Sequence, residues 1–418
     1  MYKLIITLGI FSLLLDWYVY QGMKRLVNSW SARQRRTVSR VYWVAWFVFL
    51  AAFAYAIYAR FSAGYATPFA QWMINAFVTL LVTKLVFILV LFAEDIIRAL
   101  VAAFRLLQRL VKGRRTGQQE LMPERRKFVS QLALVLAGIP FVSFLYGVTK
   151  GKYDYRVHRH TLYFDDLPEA FDGFTITQIS DIHSGSFDDT EAVQRGIELV
   201  KAQQSDLFVF TGDLVNDLAP EIVPYIDNFK QIKAPYGQFS ILGNHDYGMY
   251  HEWPSEAAHE ANMVRLKQHH VELGYHLLLN ENVTIEKGGE KIALIGVENW
   301  GKGFIQKGDL DQALVGVDEN AFKLLLSHDP SHFEEIVKHH PTRVHLTLSG
   351  HTHGMQMGVE TPLFRWSPVQ YRYKNWAGLA EENNRKLYVN RGFGFIGFSG
   401  RVGIWPEVTV LELRKKRA

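Results

Sequence analysis

The sequence predicts an α/β domain preceded by an all-α membrane region of about four helices. Four long apolar runs occur before residue 150. From about residue 155 onward, short apolar runs typical of strands alternate with helical stretches. The charge changes sign at the same place: residues 1–150 carry 19 Lys and Arg against 5 Asp and Glu, whereas the remainder carries 27 against 36. We therefore expect two parts, residues 1–150 and residues 155–418.

The composition excludes several classes of protein. At 418 residues the chain can hold two or three domains. The formal net charge of +5 combines a basic N-terminal part with an acidic remainder. It therefore does not indicate nucleic-acid binding, and no nucleic acid is expected as a partner. The absence of cysteine excludes thiol catalysis, disulfide bonds and Cys-ligated zinc.

The four apolar runs predict transmembrane helices, with the lipid bilayer as partner. A helix needs roughly 20 residues to cross ~30 Å of hydrocarbon. Asp16 and Gln131 interrupt the first and fourth runs, for which a buried helix of a soluble domain is the alternative. We expect Lys84, within the third run, to snorkel or to face a neighbouring helix. The runs cover residues 3–22, 41–60, 69–93 and 128–148.

The connecting segments predict the orientation of these helices. Segments 23–40 and 94–127 are rich in Lys and Arg, whereas the link 61–68 has neither. Because cytoplasmic loops carry the positive excess, both basic segments should face the cytoplasm. With four spans, the domain after residue 150 then lies on the extracytoplasmic face of a bacterial cytoplasmic (inner) membrane.

The stretch "ERRKFVS" (124–130) directly precedes the fourth apolar run. It resembles the twin-arginine export signal, which directs folded proteins across the bacterial inner membrane. No small-residue cleavage site clearly follows, so the run is expected to stay as an anchor. The alternative is that Arg125 and Arg126 are simply positive-inside residues, and the two interpretations have equal support.

The second part has the pattern of an α/β domain. Its apolar runs of four to seven residues predict strands that are buried on both faces. These are 174–180, 206–210, 238–243, 291–296, 322–327, 344–349 and 386–390, with a last strand of alternating faces at 406–413. Helices are expected at 189–203, 218–230, 255–270 and 331–339.

Polar side chains with metal-binding capacity follow five of these strands. In open α/β sheets, sites form outside the carboxyl ends of the strands. Each motif alone is common in turns, but the accidental placement of the whole set at five strand ends is very unlikely. The residues are Asp181 and His183, Asp213, then Asn244, His245 and Asp246, then His328, and finally His351 and His353.

The types of side chain narrow the choice of metal. Imidazoles mixed with carboxylates and an amide oxygen, without thiolate, suit Mn, Fe or Zn better than Ca or Mg. Seven candidate ligands exceed what one ion needs. A carboxylate that bridges two ions about 3.5–4 Å apart accounts for the excess. The sequence therefore predicts two divalent metal ions.

The motif series D-x-H, G-D, G-N-H-D, H and G-H-x-H resembles the calcineurin-like metallophosphoesterases over roughly residues 172–413. The stretches "LLLSHDP", "SGHTHGMQ" and "NRGFGFIGFSGRVGIWPEVTVLEL" are similar to the membrane-associated bacterial branch of the YkuE and YaeI type. The resemblance implies a four-layer α/β/β/α sandwich with two facing mixed sheets.

The resemblance also implies a role for each residue. His245 would lie just off the metals, and Asp246 would hydrogen-bond and orient its imidazole. Asp213 would bridge the two ions. The first ion would be bound by Asp181, His183 and His353, and the second by Asn244, His328 and His351.

The implied reaction is hydrolysis of a phosphomonoester, phosphodiester or pyrophosphate by a metal-bound hydroxide, with His245 as proton donor. The membrane region suggests a substrate that is lipid-linked. Arg391, which follows a strand, is expected either to clamp a phosphate or to form a surface salt bridge. Met355 departs from the family pattern, because relatives often carry glycine there. Segment 361–376 is expected to line a substrate groove or to pack against the sandwich.

Two other functions are compatible with the sequence. One is a metal-binding sensor module without catalysis, which the complete ligand set and His245 disfavour. The other is a transporter with a regulatory phosphoesterase domain, which the scarcity of polar residues within the spans disfavours. The sequence does not indicate an oligomeric state.

Overall fold

The computed structural model describes residues 2–63, 67–112 and 123–417, and the chain divides into two compact units at Tyr146–Gly147. The described residues of the N-terminal unit form four helices, with a non-helical turn at residues 27–31 between the first two. Each helix contains one of the four apolar runs and extends beyond it. The helices are α1 (Tyr2–Leu26), α2 (Ala32–Ala63), α3 (Pro68–Lys112) and α4 (Pro123–Thr149).

Among the residues that the structure describes, three helical stretches are long and apolar enough to cross a membrane, namely Ala32–Ala59, Pro68–Gln108 and Lys127–Thr149. Large apolar side chains on them, such as Val48, Leu89 and Val135, are exposed, as expected of helices that face lipid. Helix α1 is not among the three, and it carries Asp16 at its centre. The "ERRKFVS" stretch lies in α4, but the side chains of Arg125 and Arg126 are outside the described residues.

A polar cluster links three of these helices. Lys84 on α3 forms an ion pair with Asp16 on α1 at 2.8 Å. The Tyr42 hydroxyl on α2 donates to Asp16 Oδ1 at 2.7 Å. Lys84 therefore faces a neighbouring helix rather than snorkelling. The pair explains how α1 accommodates a carboxylate within an apolar run, since intramembrane charges persist when they are paired.

The C-terminal unit contains two six-stranded mixed sheets. The first has the order β1-β14-β2-β3-β4-β5, and the second the order β12-β13-β9-β8-β7-β6. The strands before the chain enters the second sheet are β1 (Arg156–Phe164), β2 (Phe174–Ile179), β3 (Leu207–Phe210), β4 (Gln238–Ser240) and β5 (His276–Leu277).

The second sheet begins after β5, and the chain returns to the first sheet only with β14. Strands β10 and β11 form a separate two-stranded ribbon. The bounds are β6 (Glu281–Lys287), β7 (Glu290–Gly296), β8 (Phe322–Leu326), β9 (Leu346–Ser349), β10 (Val359–Glu360), β11 (Arg365–Trp366), β12 (Gly378–Glu382), β13 (Arg385–Val389) and β14 (Glu407–Lys415).

Strands β2, β3 and β4 of the first sheet run parallel to one another, as do β13, β9, β8 and β7 of the second, and every residue of β3, β8 and β9 is buried. One apolar core joins the facing sides of the two sheets, with Ile176 and Val209 from the first and Leu324 and Leu348 from the second. This burial on both faces is why these strands have unbroken apolar sequences.

Helices cover the outer faces of both sheets. The first sheet packs against α5 (Thr190–Lys201), α6 (Ile226–Phe229) and α7 (Glu256–Leu273), and the second packs against the short helices α8 (Leu310–Ala313) and α9 (Ser331–Glu335). The predicted α/β/β/α sandwich is therefore confirmed.

Several elements differ from the sequence prediction, and β5, β6, β10, β11, β12 and α8 are among those that were not predicted. The expected helix at 218–230 is mostly a 3₁₀ helix (Ala219–Tyr225), followed by the single α-helical turn of α6. Pro220 and Pro224 explain this difference, because proline lacks the N–H that continues an α-helix. Strand β1 was not predicted, since its sequence RVHRHTLYF is largely polar and only Leu162 and Phe164 are fully buried.

Candidate metal centre

The loops that follow β2, β3 and β4 in the first sheet meet the loops that follow β8 and β9 in the second. Parallel strands end at the same edge of a sheet, so each sheet brings its polar loops to one edge. The sandwich then places the two edges side by side. All seven candidate ligands lie in these five loops and are buried or nearly so.

The first group of candidate ligands consists of Asp181, His183 and His353. The Nε2 atoms of His183 and His353 lie 3.0 Å apart. His353 Nε2 is also 3.2 Å from Asp181 Oδ1. Two imidazole nitrogens and a carboxylate oxygen that converge on one point are the arrangement expected around a divalent cation.

The second group consists of Asp213, His328 and His351. His328 Nε2 lies 3.1 Å from Asp213 Oδ2 and 3.3 Å from His351 Nδ1. The amide oxygen of Asn244 adds a fourth donor, 2.8 Å from His351 Nδ1. This set again mixes imidazole, carboxylate and amide oxygen.

Asp213 lies between the two groups. Its Oδ2 atom is 3.1 Å from His328 Nε2 in the second group and 3.4 Å from His183 Nε2 in the first. One carboxylate oxygen is thus within reach of ligands from both groups.

Neighbouring groups fix which atoms of the side chains point into the site. His328 Nδ1 donates to the Thr211 carbonyl at 2.7 Å, which leaves its Nε2 lone pair for a metal. The Asn244 amide nitrogen donates to the Tyr250 hydroxyl at 3.0 Å, so its oxygen faces the site. These contacts select ligand-competent orientations.

The electrostatics of the buried site also suit metal binding. Burial lowers the pKa of His183 and of His351, so both imidazoles are neutral near pH 7. Burial acts against the charged form of Asp213 too, but His328 and His245 hold its pKa well below the usual range. Burial opposes protonation of His328, yet the Asp213 carboxylate raises its pKa to about 10. Metal binding would therefore release a proton from His328.

Five of the candidate ligands have left-handed backbone conformations. Such φ values are uncommon outside glycine. The neighbouring Met355 has φ 53° as well, which gives a physical reason for the glycine that relatives often carry there. The ligands are Asp181 (φ 53°), His183 (φ 47°), Asp213 (φ 62°), His351 (φ 70°) and His353 (φ 51°).

The expected pairing of Asp246 with His245 is wrong. His245 Nδ1 donates instead to the Asn216 carbonyl at 2.8 Å. The Asp246 carboxylate turns inward and accepts backbone N–H groups of four residues, Gly243, Asp213, Leu214 and Val215. Burial and the negative charge of Asp213 raise the pKa of Asp246 to about 7, although the hydrogen bonds from the backbone act to lower it. Asp246 thus shapes the loop that carries Asp213.

Of the two expected roles of Arg391, the structure has the salt bridge, but it lies inside the protein and not at its surface. Its side chain is buried and forms ion pairs with Glu407 and Glu360, both at 2.5 Å. Two carboxylates already occupy its guanidinium, so Arg391 ties β14 and β10 to the end of β13.

Three further residues, which were not among the predicted ones, lie around the site. Asp329 and Tyr373 hold His351, with the Tyr373 hydroxyl 2.9 Å and Asp329 Oδ2 3.3 Å from its Nε2 atom. Asp329 directly follows the candidate ligand His328 in the chain, so the sequence already indicated that it lies near the site. Arg401 is fully buried and lies 3.3 Å from His353 Nδ1, and nothing in its sequence context indicated this.

A cavity of about 450 Å³ opens onto the candidate ligands. His183, Asp213, Asn244 and His351 contribute to its floor together with His245. Aromatic and apolar side chains form much of the rest of its wall, including Phe304, Met355, Val369, Tyr371, Tyr373 and Ile396. Part of segment 361–376 lines this cavity, and part packs in a small core around Trp376.

Arg372 is the one arginine among the residues that line this cavity. Its guanidinium stacks 4.8 Å from the ring centroid of Phe304 and 5.5 Å from that of Tyr373. Within the described part of the chain no ion pair joins it to a carboxylate; it is hydrogen-bonded to the side chain of Tyr373 and makes a long contact of 3.4 Å to the Lys302 carbonyl. A cation is thus held beside the candidate metal ligands by aromatic rings.

Comparison with known proteins matches both parts of the chain. Residues 174–355 match the family model described as calcineurin-like phosphoesterase. Residues 2–152 match the model described as probable calcineurin-like phosphoesterase, transmembrane domain. Together the two matches cover most of the chain. The match to the transmembrane domain, with the candidate spans described above, identifies the chain as a membrane protein.

Curated relatives agree with this result. Over 261 residues the chain is 29% identical to the uncharacterized metallophosphoesterase YkuE of Bacillus subtilis (strain 168), covering 61% of this chain and 84% of the relative. It is 28% identical to YkoQ of the same organism, covering 68% and 99%. It is 25% identical to the transmembrane protein with metallophosphoesterase domain of Danio rerio, covering 68% and 62%.

The site and both matches lead to one conclusion. The chain belongs to the calcineurin-like metallophosphoesterases, a family of metal-dependent hydrolases of phosphoester bonds, and it carries the transmembrane domain found in a branch of that family.

Proposed function

We propose that this protein hydrolyses a phosphomonoester, phosphodiester or pyrophosphate bond with two divalent metal ions bound side by side. The observation that carries the proposal is the position of Asp213 Oδ2 between His183 and His328. Asp181, His183 and His353 would hold one ion, and Asn244, His328 and His351 the other. When bound, such a pair supplies Lewis acidity and a nucleophile from water at neutral pH.

His245 is proposed as the proton donor to the leaving oxygen. Because a carbonyl only accepts, the Asn216 contact keeps the proton on Nδ1 and leaves Nε2 as the atom that gains and loses one. His245 lies at the edge of the site, with its ring centroid 5.0 Å from that of His183. A protonated Nε2 can therefore reach an oxygen leaving a phosphoryl group held at the ligands.

The cavity supports an amphipathic substrate that carries a phosphate. Arg372 offers donors to phosphoryl oxygens, because guanidinium groups bind phosphate bidentately. The aromatic and apolar wall favours an uncharged, apolar remainder of the substrate. The membrane domain in the same chain makes a lipid-linked phosphoester or pyrophosphate our preferred substrate class.

The test uses mass spectrometry on a total bacterial lipid extract, incubated with the detergent-purified full-length protein and Mn²⁺. We expect one phospholipid or lipid pyrophosphate to disappear, with loss of at least a hundredfold in rate for Asp213→Asn. Asp165→Asn, which also removes one carboxylate but from an exposed position, is expected to retain full activity.

Two outcomes would change the proposal. Hydrolysis of a generic aryl phosphodiester without change in any lipid would show a phosphoesterase whose substrate is water-soluble. Equal activity of Asp213→Asn and the unaltered protein would exclude the shared carboxylate as part of the reaction.

We further propose that the protein lies in a bacterial cytoplasmic membrane with its catalytic domain on the extracytoplasmic face. The support is the distribution of Lys and Arg, which concentrates in segments 23–40 and 94–127.

A further inference from the structure

A second cavity, of about 550 Å³, lies within the N-terminal unit between α1 and α2. Its volume is in the range of small-ligand sites. It is lined by the last turns of α1 and the beginning of α2. The apolar runs of these helices end at residue 22 and resume at residue 41. The cavity therefore occurs where both helices leave the part of the chain expected in hydrocarbon.

Four basic side chains and no acidic one line this cavity, namely Lys24, Arg35, Arg36 and Arg40. None of the four forms an ion pair within the described ranges. Nearby cations differ, since Lys84 pairs with Asp16 at 2.8 Å and Arg25 approaches Glu94 at 3.9 Å. Four uncompensated positive charges around one concave surface attract an anion.

The remainder of the lining is aromatic and aliphatic. Tyr20 and Tyr42 lie with ring centroids 5.3 Å apart, and the Tyr20 hydroxyl donates to Ser39 Oγ at 2.6 Å, which joins α1 to α2. Val27 is buried, whereas the basic side chains are exposed. The cavity thus combines an exposed cationic part with a less exposed apolar part.

We propose that this cavity binds the phosphate headgroup of an anionic phospholipid. Arginine forks match phosphate oxygens, and clusters of Lys and Arg beside membrane spans attract anionic lipids. Free phosphate would satisfy the arginines equally well. The apolar lining and the adjoining spans favour a lipid, because acyl chains could continue along the helices. This site is separate from the catalytic one and does not depend on the proposed function.

The test measures binding by native mass spectrometry of the full-length protein in neutral detergent. Short-chain phosphatidylglycerol and phosphatidylcholine of equal chain length serve as probes, and every sample carries Asp213→Asn so that hydrolysis does not consume them. We expect phosphatidylglycerol to bind at least tenfold more tightly than phosphatidylcholine. The double variant Arg36→Gln/Arg40→Gln should lose this preference.

Two further variants separate the site from general charge and from misfolding. Arg33→Gln/Arg105→Gln removes the same charge from exposed positions outside the cavity and should bind within twofold of the parent. Arg36→Lys/Arg40→Lys keeps the charge and should retain most of the preference. The proposal is wrong if the two double variants to glutamine lose phosphatidylglycerol binding equally, or if the parent shows no preference for phosphatidylglycerol. If millimolar inorganic phosphate alone displaces the lipid, the ligand of this cavity is a soluble phosphate and not a lipid headgroup.

Discussion

At the scale of single residues, the candidate metal ligands adopt backbone conformations that most side chains avoid. Each left-handed non-glycine residue costs on the order of 1–3 kcal/mol, so the surrounding structure must hold it. Hydrogen bonds do so here: Asp181 N–H donates to the Gly212 carbonyl, and His183 N–H donates to the Asp213 carbonyl. The Asp181 carboxylate in turn accepts the His351 N–H at 2.9 Å. The loops thus hold one another in place through the protein's own hydrogen bonds.

His245 can be tested through the acidity of the leaving group. If its Nε2 atom protonates the leaving oxygen, His245→Gln should lower kcat on an alkyl phosphoester by about 10²–10⁴-fold. A p-nitrophenyl ester, whose leaving group needs no proton, should lose far less. Steady-state rates on the two substrates measure the difference, with metal content checked in parallel. An equal loss on both substrates would assign His245 to metal or substrate binding instead.

The residues of this site differ in how well the sequence predicted them. The seven candidate ligands were predictable, because each directly follows a recognisable strand. The role of Asp246 was not, since a 3₁₀ turn at His245–Tyr247 points adjacent side chains in different directions. The role of Arg391 was not predictable either, because its carboxylate partners lie 16 and 31 residues away in the chain.

At the scale of elements, glycines set how closely the loops of the two sheets approach. Gly350 directly follows β9 and lies against the loop after β2. A Cβ atom there would overlap Ser180 Oγ and Asp181 Oδ2. Only a residue without a side chain lets the two loops come close enough for His353 to meet Asp181.

Gly350→Ala should therefore lower the metal affinity of the first ligand group more than it lowers the stability of the fold. We expect affinity for the first metal to fall at least tenfold, because the added methyl group separates Asp181 from His353. Metal content after dialysis and thermal unfolding measure the two effects. Gly138→Ala in α4 is the matched control, since a Cβ there meets nothing within 4 Å. Full retention of both metals in Gly350→Ala would contradict the close-approach argument.

Elements were predictable from sequence where burial gives a strong pattern. The unbroken apolar runs of β3, β8 and β9 identified these strands, because each is buried on both faces. Strand β1 lies at the edge of its sheet and keeps polar residues at most positions, so no apolar pattern marks it. Strand β1 pairs with β14, which lies at the opposite end of the domain sequence. A local sequence pattern carries no information about a pairing over such a distance in the chain.

At the scale of the whole molecule, the asymmetry of charge predicts the topology. A C-terminal fusion to alkaline phosphatase, which is active only outside the cytoplasm, should be active. A fusion after residue 112, within the basic segment 94–127, should be inactive and serves as the matched control. Enzyme activity in intact cells, normalised to the amount of fusion protein, is the measurement. The reverse pattern would place the catalytic domain in the cytoplasm.

The order of strands in the first sheet has a consequence for biosynthesis. Strand β14 lies between β1 and β2, although it follows every other strand of the two sheets in the chain. Until residues 407–415 have left the ribosome, β1 has no neighbour in the sheet, and Glu407 is missing from its ion pair with Arg391. Both metal groups also combine residues from the early and the late parts of the chain. We therefore expect any metal to bind only after both parts of the domain have been made, in whichever compartment the domain folds.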